Sequence, residues 1–268
     1  MEKLITNNFI IGAVHFPALL GYDEFPGLEI AYKNAVTDIQ AFEKGGVNAV
    51  IIENNYDLPH TETVSASIVA SLSMLATQLK ETTNLPMGIS VLWNDYEAAL
   101  SIAKLADLDF VRVPVFVDSV KTDYGIITGN PEKVTTYRKK IDAEDVAIFA
   151  DIHVKHAEIV SDYTLLESAQ KAAQHGANGL IITGQWTGDA PMLEDFKLLQ
   201  DGGIELPLIV GSGLNHENAI ELMNTADGAI VSTALKESGN EDHEINVKGY
   251  ASRISEAKVS QLVKLLVK

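Results

Sequence analysis

The stretch Gly176-Ala177-Asn178-Gly179-Leu180-Ile181-Ile182 closes an amphipathic segment and opens a run of aliphatic residues. Gly and Asn tolerate the left-handed conformation that ends helices, and unbroken aliphatics suit a strand buried on both faces. The same order recurs in Gly45-Gly46-Val47-Asn48-Ala49-Val50-Ile51-Ile52, in Leu105-Ala106-Asp107-Leu108-Asp109-Phe110-Val111-Arg112-Val113, and in Ala226-Asp227-Gly228-Ala229-Ile230-Val231. A helix stop followed at once by a buried strand, four times over, is the mark of a βα repeat.

Adding the other short apolar runs gives eight expected strands, near residues 9–15, 49–53, 87–92, 110–115, 147–153, 179–183, 208–211 and 228–232. Amphipathic stretches lie between them, among them Ala66 to Lys80, Glu97 to Ala106, Leu165 to His175 and Asn215 to Met223. One unit per roughly thirty residues is the spacing of parallel βαβ units. A doubly wound open sheet would carry a Gly-rich dinucleotide turn after its first strand, and Ile11-Gly12-Ala13-Val14-His15 is not one. The expected fold is therefore α/β, a (β/α)8 TIM barrel. No Pro/Gly/Ser-rich linker splits the chain, so residues 1–268 are expected to form one domain.

Composition narrows the function classes. Lys and Arg number 20 against 37 Asp and Glu, a net charge of −17 that repels nucleic acid and anionic lipid. There is no cysteine, which removes disulfides, zinc–thiolate sites, iron–sulfur clusters and thiol nucleophiles. Met1-Glu2-Lys3-Leu4 lacks the basic start of a signal peptide, and no run approaches the roughly 18 apolar residues of a spanning helix. A cytoplasmic protein without membrane insertion is expected, and barrels of this kind commonly pair into homo-oligomers.

Reactive groups in such barrels sit at the C-terminal ends of the strands, where inward and outward side chains alternate. On the fifth strand Val146, Ile148, Ala150, Ile152 and Val154 suit the helix layer, leaving Phe149, Asp151, His153 and Lys155 inward. On the third, Met87, Ile89, Val91 and Trp93 go outward and Gly88, Ser90, Leu92 and Asn94 inward; on the fourth, Val111, Val113 and Val115 go outward and Arg112 inward. Ile181 and Thr183 point inward on the sixth, His15 ends the first, and either Glu53 or Asn54 ends the second facing the mouth.

These residues support several chemistries. Glu53 and Asp151 suit an acid and a base, with Arg112, Lys155 and His153 stabilising developing negative charge and Asn54, Asn94 and Thr183 contacting substrate. Arg112 and Asp151 also fit a plain buried ion pair, and Lys155 fits either a solvated loop residue or an inward amine. No cofactor is required, although Asp151, His153, His156 and Glu53 together could hold a divalent metal. Thr183-Gly184, Val210-Gly211-Ser212-Gly213 and Val231-Ser232-Thr233 place small residues and backbone N–H groups after strands six, seven and eight. Barrels of the phosphate-binding type hold phosphate there, so a small phosphorylated partner is expected at Gly184, Gly211, Ser212, Gly213, Ser232 and Thr233. Asp118 to Asn130 is long for a βα loop and fits a lid, a binding element or a passive excursion.

Several ordered blocks resemble the BtpA/SgcQ family: Ile11-Gly12-Ala13-Val14-His15, the run Gly46 to Asn54, Gly88 to Asp95, Thr122 to Ile127, Ala150 to Ala157 and Val210 to Gly213. The resemblance runs from about residue 9 to residue 239. It implies a phosphate-binding TIM barrel and several activities: a photosystem I biogenesis factor without catalysis, a nucleosidase, or a phosphoribosylanthranilate isomerase. That isomerase uses a Cys base on strand one, where this chain has Gly12, Ala13 and His15, so His15 or Glu53 would have to replace the thiol. The chain departs from many relatives at Leu19 to Pro26, where they resemble a shorter Pro-Gly-Ser-Pro turn, and at Trp93, where a basic residue is frequent. The favoured expectation is an isomerase or lyase acting on a sugar or nucleoside phosphate.

Overall fold

The computed structural model describes residues 8–184, 189–237 and 251–266. The expected reading of Met1 to Leu4 lies outside them. Eleven strands are present among the described residues: β1 Phe9–His15, β2 Ala49–Glu53, β3 Met87–Ser90, β4 Phe110–Val113, β5 Ser119–Thr122, β6 Gly125–Thr128, β7 Ala147–Ile152, β8 Glu158–Ile159, β9 Gly179–Ile182, β10 Leu208–Val210 and β11 Gly228–Val231. Eight of them close into an all-parallel barrel, β1-β2-β3-β4-β7-β9-β10-β11 and back to β1, as a TIM barrel requires. Helices α1 Leu28–Gly45, α2 Ala66–Lys80, α3 Tyr96–Leu105, α4 Pro131–Lys140, α5 Leu165–Gln174, α6 Leu193–Asp201, α7 Ala219–Met223 and α8 Glu256–Leu266 accompany the strands.

The repeat that announced the barrel divides its labour. Gly46 (φ 92°), Asp107 (φ 54°) and Gly176 (φ 84°) take the left-handed turns that end helices. The Asn or Asp just before each strand does something else. Asn48 gives its N–H to the Ile10 carbonyl at 2.9 Å while its side-chain oxygen accepts the Ile10 N–H at 2.8 Å. Asp109 clasps Met87 in the same way at 2.7 and 2.8 Å, Asn178 clasps Ile148 at 2.7 and 2.9 Å, and Asp227 clasps Leu208 at 2.9 and 2.8 Å. Each residue thus staples the base of its own strand to the base of the neighbouring one, satisfying backbone groups beyond the end of the ladder.

Side-chain alternation produces two cores. Phe9, Ile11, Ala13, Ala49, Ile51, Phe110, Ala147, Phe149, Ile181, Ile209 and Ile230 fill the barrel interior, while Val14, Val50, Ile52, Ile89, Val111, Ile148, Ala150 and Ile182 face the helices. The interior is tight because large rings oppose missing side chains: a Cβ on Gly228 would lie 2.3 Å from the Phe9 ring, and one on Gly88 2.2 Å from Phe110.

Several ends differ from expectation. β3 stops at Ser90 and β4 at Val113 rather than at 92 and 115, and the outward placement of Trp93, Val115 and Val154 does not carry into the helix layer. Beyond the last paired residues the pleat no longer dictates direction. Those three side chains instead pack with Val120 of β5 and Ile127 of β6, in a small antiparallel sheet, β6-β5-β8, built from the long segment after β4 and the strand after β7. The passive-loop reading of Asp118 to Asn130 therefore gives way to a hairpin. The expected helix from Asn215 starts only at Ala219, because Asn215 and Asn218 bond each other's backbone N–H groups in a turn (2.8 and 3.2 Å).

Candidate functional site

The C-terminal ends of the barrel strands gather the charged residues. Register sets His15 opposite Glu53 and Glu53 opposite Ser90, and it pairs Arg112 with Phe149, two residues before Asp151. Between Glu53 and Asn54 the structure brings Glu53 to the mouth. Arg112 reaches both carboxylates: its Nε and one terminal nitrogen each donate to Asp151 at 2.8 Å, and the other terminal nitrogen donates to Glu53 Oε1 at 3.2 Å. His15 Nε2 lies 3.6 Å from Glu53 Oε2. One polar chain, His15–Glu53–Arg112–Asp151, therefore spans β1, β2, β4 and β7. It crosses β3 over Ser90, whose buried hydroxyl has no hydrogen-bond partner among the described residues.

The electrostatics follow from this enclosure. Burial disfavours the charged guanidinium, and Asp151 and Glu53 more than offset that, so Arg112 stays charged with its pKa above the ordinary value. Burial, then the fields of Lys236, Lys155 and Arg112, push His15 down to about 3. His15 is thus a neutral imidazole at physiological pH and its contact with Glu53 is not an ion pair. Lys155 is pushed down to about 8 by burial and by Arg112, against the pull of Glu53, Asp151 and Asp189. Its backbone N–H is fixed by the Thr183 hydroxyl at 2.9 Å.

Other expected site residues serve the frame. Asn54 binds the Leu92 N–H and carbonyl (2.7 and 3.2 Å) and the Asp57 carboxylate at 3.0 Å, and Asn94 binds the N–H and carbonyl of Val115 at 2.9 and 3.0 Å. Each amide uses its oxygen and its nitrogen on neighbouring groups, holding the loops that follow β2 and β3. His153 takes a left-handed backbone (φ 50°) that ends the alternation; its ring meets the Tyr163 carbonyl at 3.2 Å in the loop before α5. Inward parity therefore ends at Asp151 on that strand. Among the described residues no three His, Asp or Glu side chains come together as a metal site, so Asp151, His153, His156 and Glu53 do not form the grouping that a metal would need.

Across the barrel from Glu53 lie the small-residue turns. Ser212 Oγ donates to the Asp189 carbonyl at 2.8 Å and accepts from the Gly184 N–H at 3.1 Å, and Gly211 N–H bonds Ile182. The amides of Gly184 and Gly211 are thereby used within the protein. The backbone N–H groups of Gly213, Ser232 and Thr233 have no acceptor among the described residues. Gly213 is left-handed (φ 72°), and a Cβ there would sit 2.3 Å from the Asp189–Ala190 backbone.

Several mouth residues escaped the sequence reading. Lys236 stands 6.0 Å from the Tyr56 ring centroid, His60 and Tyr124 meet edge to face at 5.6 Å, and Asp118 accepts from the His153 N–H at 3.0 Å and from Ser168 at 2.5 Å. Lys236, Tyr56, His60, Tyr124 and Asp118 all lie outside the barrel strands and their helices, where no periodicity marks direction. The nearest signal was the hairpin itself, whose tip carries Tyr124 across the mouth to the loop after β2. A surface cleft beside α4, lined by Asn130, Glu132, Tyr163, Lys171 and His175, takes no part in this arrangement.

Against known proteins, the BtpA family model matches residues 6–264. The chain belongs to the BtpA family. An uncharacterized protein of Archaeoglobus fulgidus is 39% identical over 245 residues, 91% of this chain and 96% of that one. The Photosystem I biogenesis protein BtpA of Synechocystis is 34% identical over 238 residues, covering 88% and 83%. Among solved structures, (S)-3-O-geranylgeranylglyceryl phosphate synthase of Thermoplasma acidophilum, in complex with sn-glycerol-1-phosphate, superposes with TM-score 0.60 at 13% identity over 99% and 95% of the chains. Phosphoribosyl anthranilate isomerase of Thermus thermophilus gives 0.56 at 12% over 96% of both. At such identities the likeness to the solved structures is one of fold. This BtpA-family chain is thus a TIM barrel, as those two enzymes are, and no helix among its described residues is long and apolar enough to cross a membrane.

Proposed function

We propose that this protein is an enzyme that binds a small phosphorylated molecule, a sugar or nucleoside phosphate, at the mouth of the barrel and rearranges or cleaves it by acid/base chemistry. The observation that carries the reading is the facing pair of features: a buried Glu53–Arg112–Asp151 array on one side, and turns with open N–H groups at Gly213, Ser232 and Thr233 on the other. The turns would take the phosphate, and Arg112 and Lys155 would meet negative charge developing on the carbon skeleton. Glu53 and Asp151 would move protons. The superposed synthase with sn-glycerol-1-phosphate supports the choice of ligand class.

Thermal denaturation with inorganic phosphate, sn-glycerol 1-phosphate and ribose 5-phosphate tests this. At a hundredfold excess over Kd, a ligand adds about 2.7 kcal/mol, or roughly 5–10 °C for a chain of this size. Ser232→Asp, which sets a carboxylate at the turn, should abolish the shift; Asp151→Asn should keep it and lose turnover. No shift with any phosphate ester would refute the reading.

A second reading has its own support in the Synechocystis relative, which is a photosystem I biogenesis protein. A non-catalytic assembly role would leave partner binding untouched by Asp151→Asn. Loss of the biological role in that variant, with fold and partner binding intact, would exclude it.

A further inference from the structure

Among the described residues three cations, Arg112, Lys155 and Lys236, reach the mouth, and they are not equivalent. Arg112 is consumed by two carboxylates, one of them in a bidentate grip. Lys236 stands toward the Tyr56 ring. The amine of Lys155 makes no hydrogen bond and no ion pair among the described residues, although Arg112, Glu53, Asp151 and Asp189 all act on it electrostatically. A lysine present only to balance charge would rest on one of those carboxylates. Arg112 holds Asp151 instead, while the Lys155 backbone is pinned to Thr183, between Asp151 and the small-residue turns.

We propose that Lys155 forms an imine with the carbonyl carbon of a phosphorylated aldehyde or ketone held at the mouth. This deepens the proposed function and rests on it, since the phosphate is what would bring the carbonyl to the amine. With the amine pushed down to about 8, about one in ten is neutral at pH 7, against fewer than about one in a thousand for an ordinary lysine. The neutral nitrogen adds its lone pair to the carbonyl carbon, and the oxygen takes up a proton to give the carbinolamine. Loss of that oxygen as water leaves the protonated imine, so amine, carbonyl and one proton become iminium and water. Glu53 and Asp151 are then the bases at hand for the proton on the adjacent carbon. Its C–H pair becomes the C=C bond of an enamine while the C=N π pair returns to nitrogen. Reprotonation of that carbon on its other face returns the iminium, and water then releases an epimerised product and the free amine. Alternatively, starting from the iminium, Glu53 or Asp151 takes the proton of a hydroxyl on the next carbon, that C–O becomes a carbonyl, and the C–C pair moves into the enamine, which is the lyase outcome.

Borohydride trapping tests the step. The protein is incubated with dihydroxyacetone phosphate, glyceraldehyde 3-phosphate or ribose 5-phosphate, reduced, and analysed by intact mass and peptide mapping. The expected result is one adduct of substrate plus two hydrogens minus water, on Lys155, at least tenfold above any surface lysine. It should be absent from Lys155→Met and Lys155→Arg, the arginine variant guarding against a charge-driven loss of fold. sn-Glycerol 3-phosphate, which has no carbonyl, reports phosphate binding separately by thermal shift. If it stabilises the protein but no carbonyl phosphate is trapped, or if adducts scatter equally in Lys155→Met, the imine is overturned and the proposed function stands. If it and every carbonyl phosphate fail to bind, both fall together.

Discussion

Arg112 shows how one side chain turns a strand end into a site. Its guanidinium is 8% exposed and fixes two carboxylates that begin on strands on either side of it, β2 and β7. Removing it leaves two buried carboxylates without their partner, which costs about 3–5 kcal/mol. Arg112→Met should lower the urea midpoint accordingly, whereas Arg112→Lys, which cannot reproduce the bidentate grip, should recover only part of the loss. A change under 1 kcal/mol in Arg112→Met would show that the carboxylates are solvated after all. Arg112, Asp151 and the inward direction of Phe149 and Ile181 could be read from alternation along paired strands. His153 could not, because a left-handed residue just past the last pair rotates everything after it.

At the level of the element, the clasp between strand bases explains why Asn or Asp recurs before β2, β4, β9 and β11. Asn178→Ala deletes the acceptor of the Ile148 N–H and should cost about 1–3 kcal/mol, the penalty for an unpaired buried donor. Gly228→Ala is expected to be at least as costly, since its Cβ would lie 2.3 Å from a fully buried Phe9 ring. Equilibrium unfolding of both variants checks the point, and a neutral Asn178→Ala would reduce the clasp to coincidence. The repeat is visible as a pattern in the sequence, where Gly and Asn point only to helix ending. The partner of each Asn or Asp is far off in sequence, 38 residues for Asn48 and 30 for Asn178, so a local reading had nothing to set against the side chain.

Acid acts on the molecule through its buried imidazoles, while the carboxyls of Asp38 and Asp57, raised by burial, work in the opposite sense as pH falls further. His15 is pushed down to about 3, and His60 and His156 to about 4, in each case chiefly by burial. Between those values and the ordinary 6.5 the unfolded chain binds protons that the folded one refuses. The stability these groups support is therefore present above about pH 6.5 and lost as pH falls toward 4, with a slope of up to about 1.4 kcal/mol per pH unit for each histidine. Melting temperatures measured from pH 7 down to pH 4.5 should fall, and His60→Gln should flatten the curve relative to wild type. An unchanged curve in that variant would mean that His60 is open to water in solution.

The sequence by itself determined the barrel, its eight strands and the inward faces of their paired stretches, because helix stops, buried aliphatics and the two-residue pleat are local properties of the chain. It also set the family resemblance and excluded thiol chemistry. The tertiary structure alone decided that Glu53, not Asn54, turns to Arg112, that Asn54 and Asn94 brace loops, that the segment after β4 is a hairpin carrying Tyr124 over the mouth, and that the Lys155 amine meets no bonded partner among the described residues. Those facts depend on which groups meet across strands distant in sequence, and on charges sharing one desolvated space. Neither is written into any local stretch.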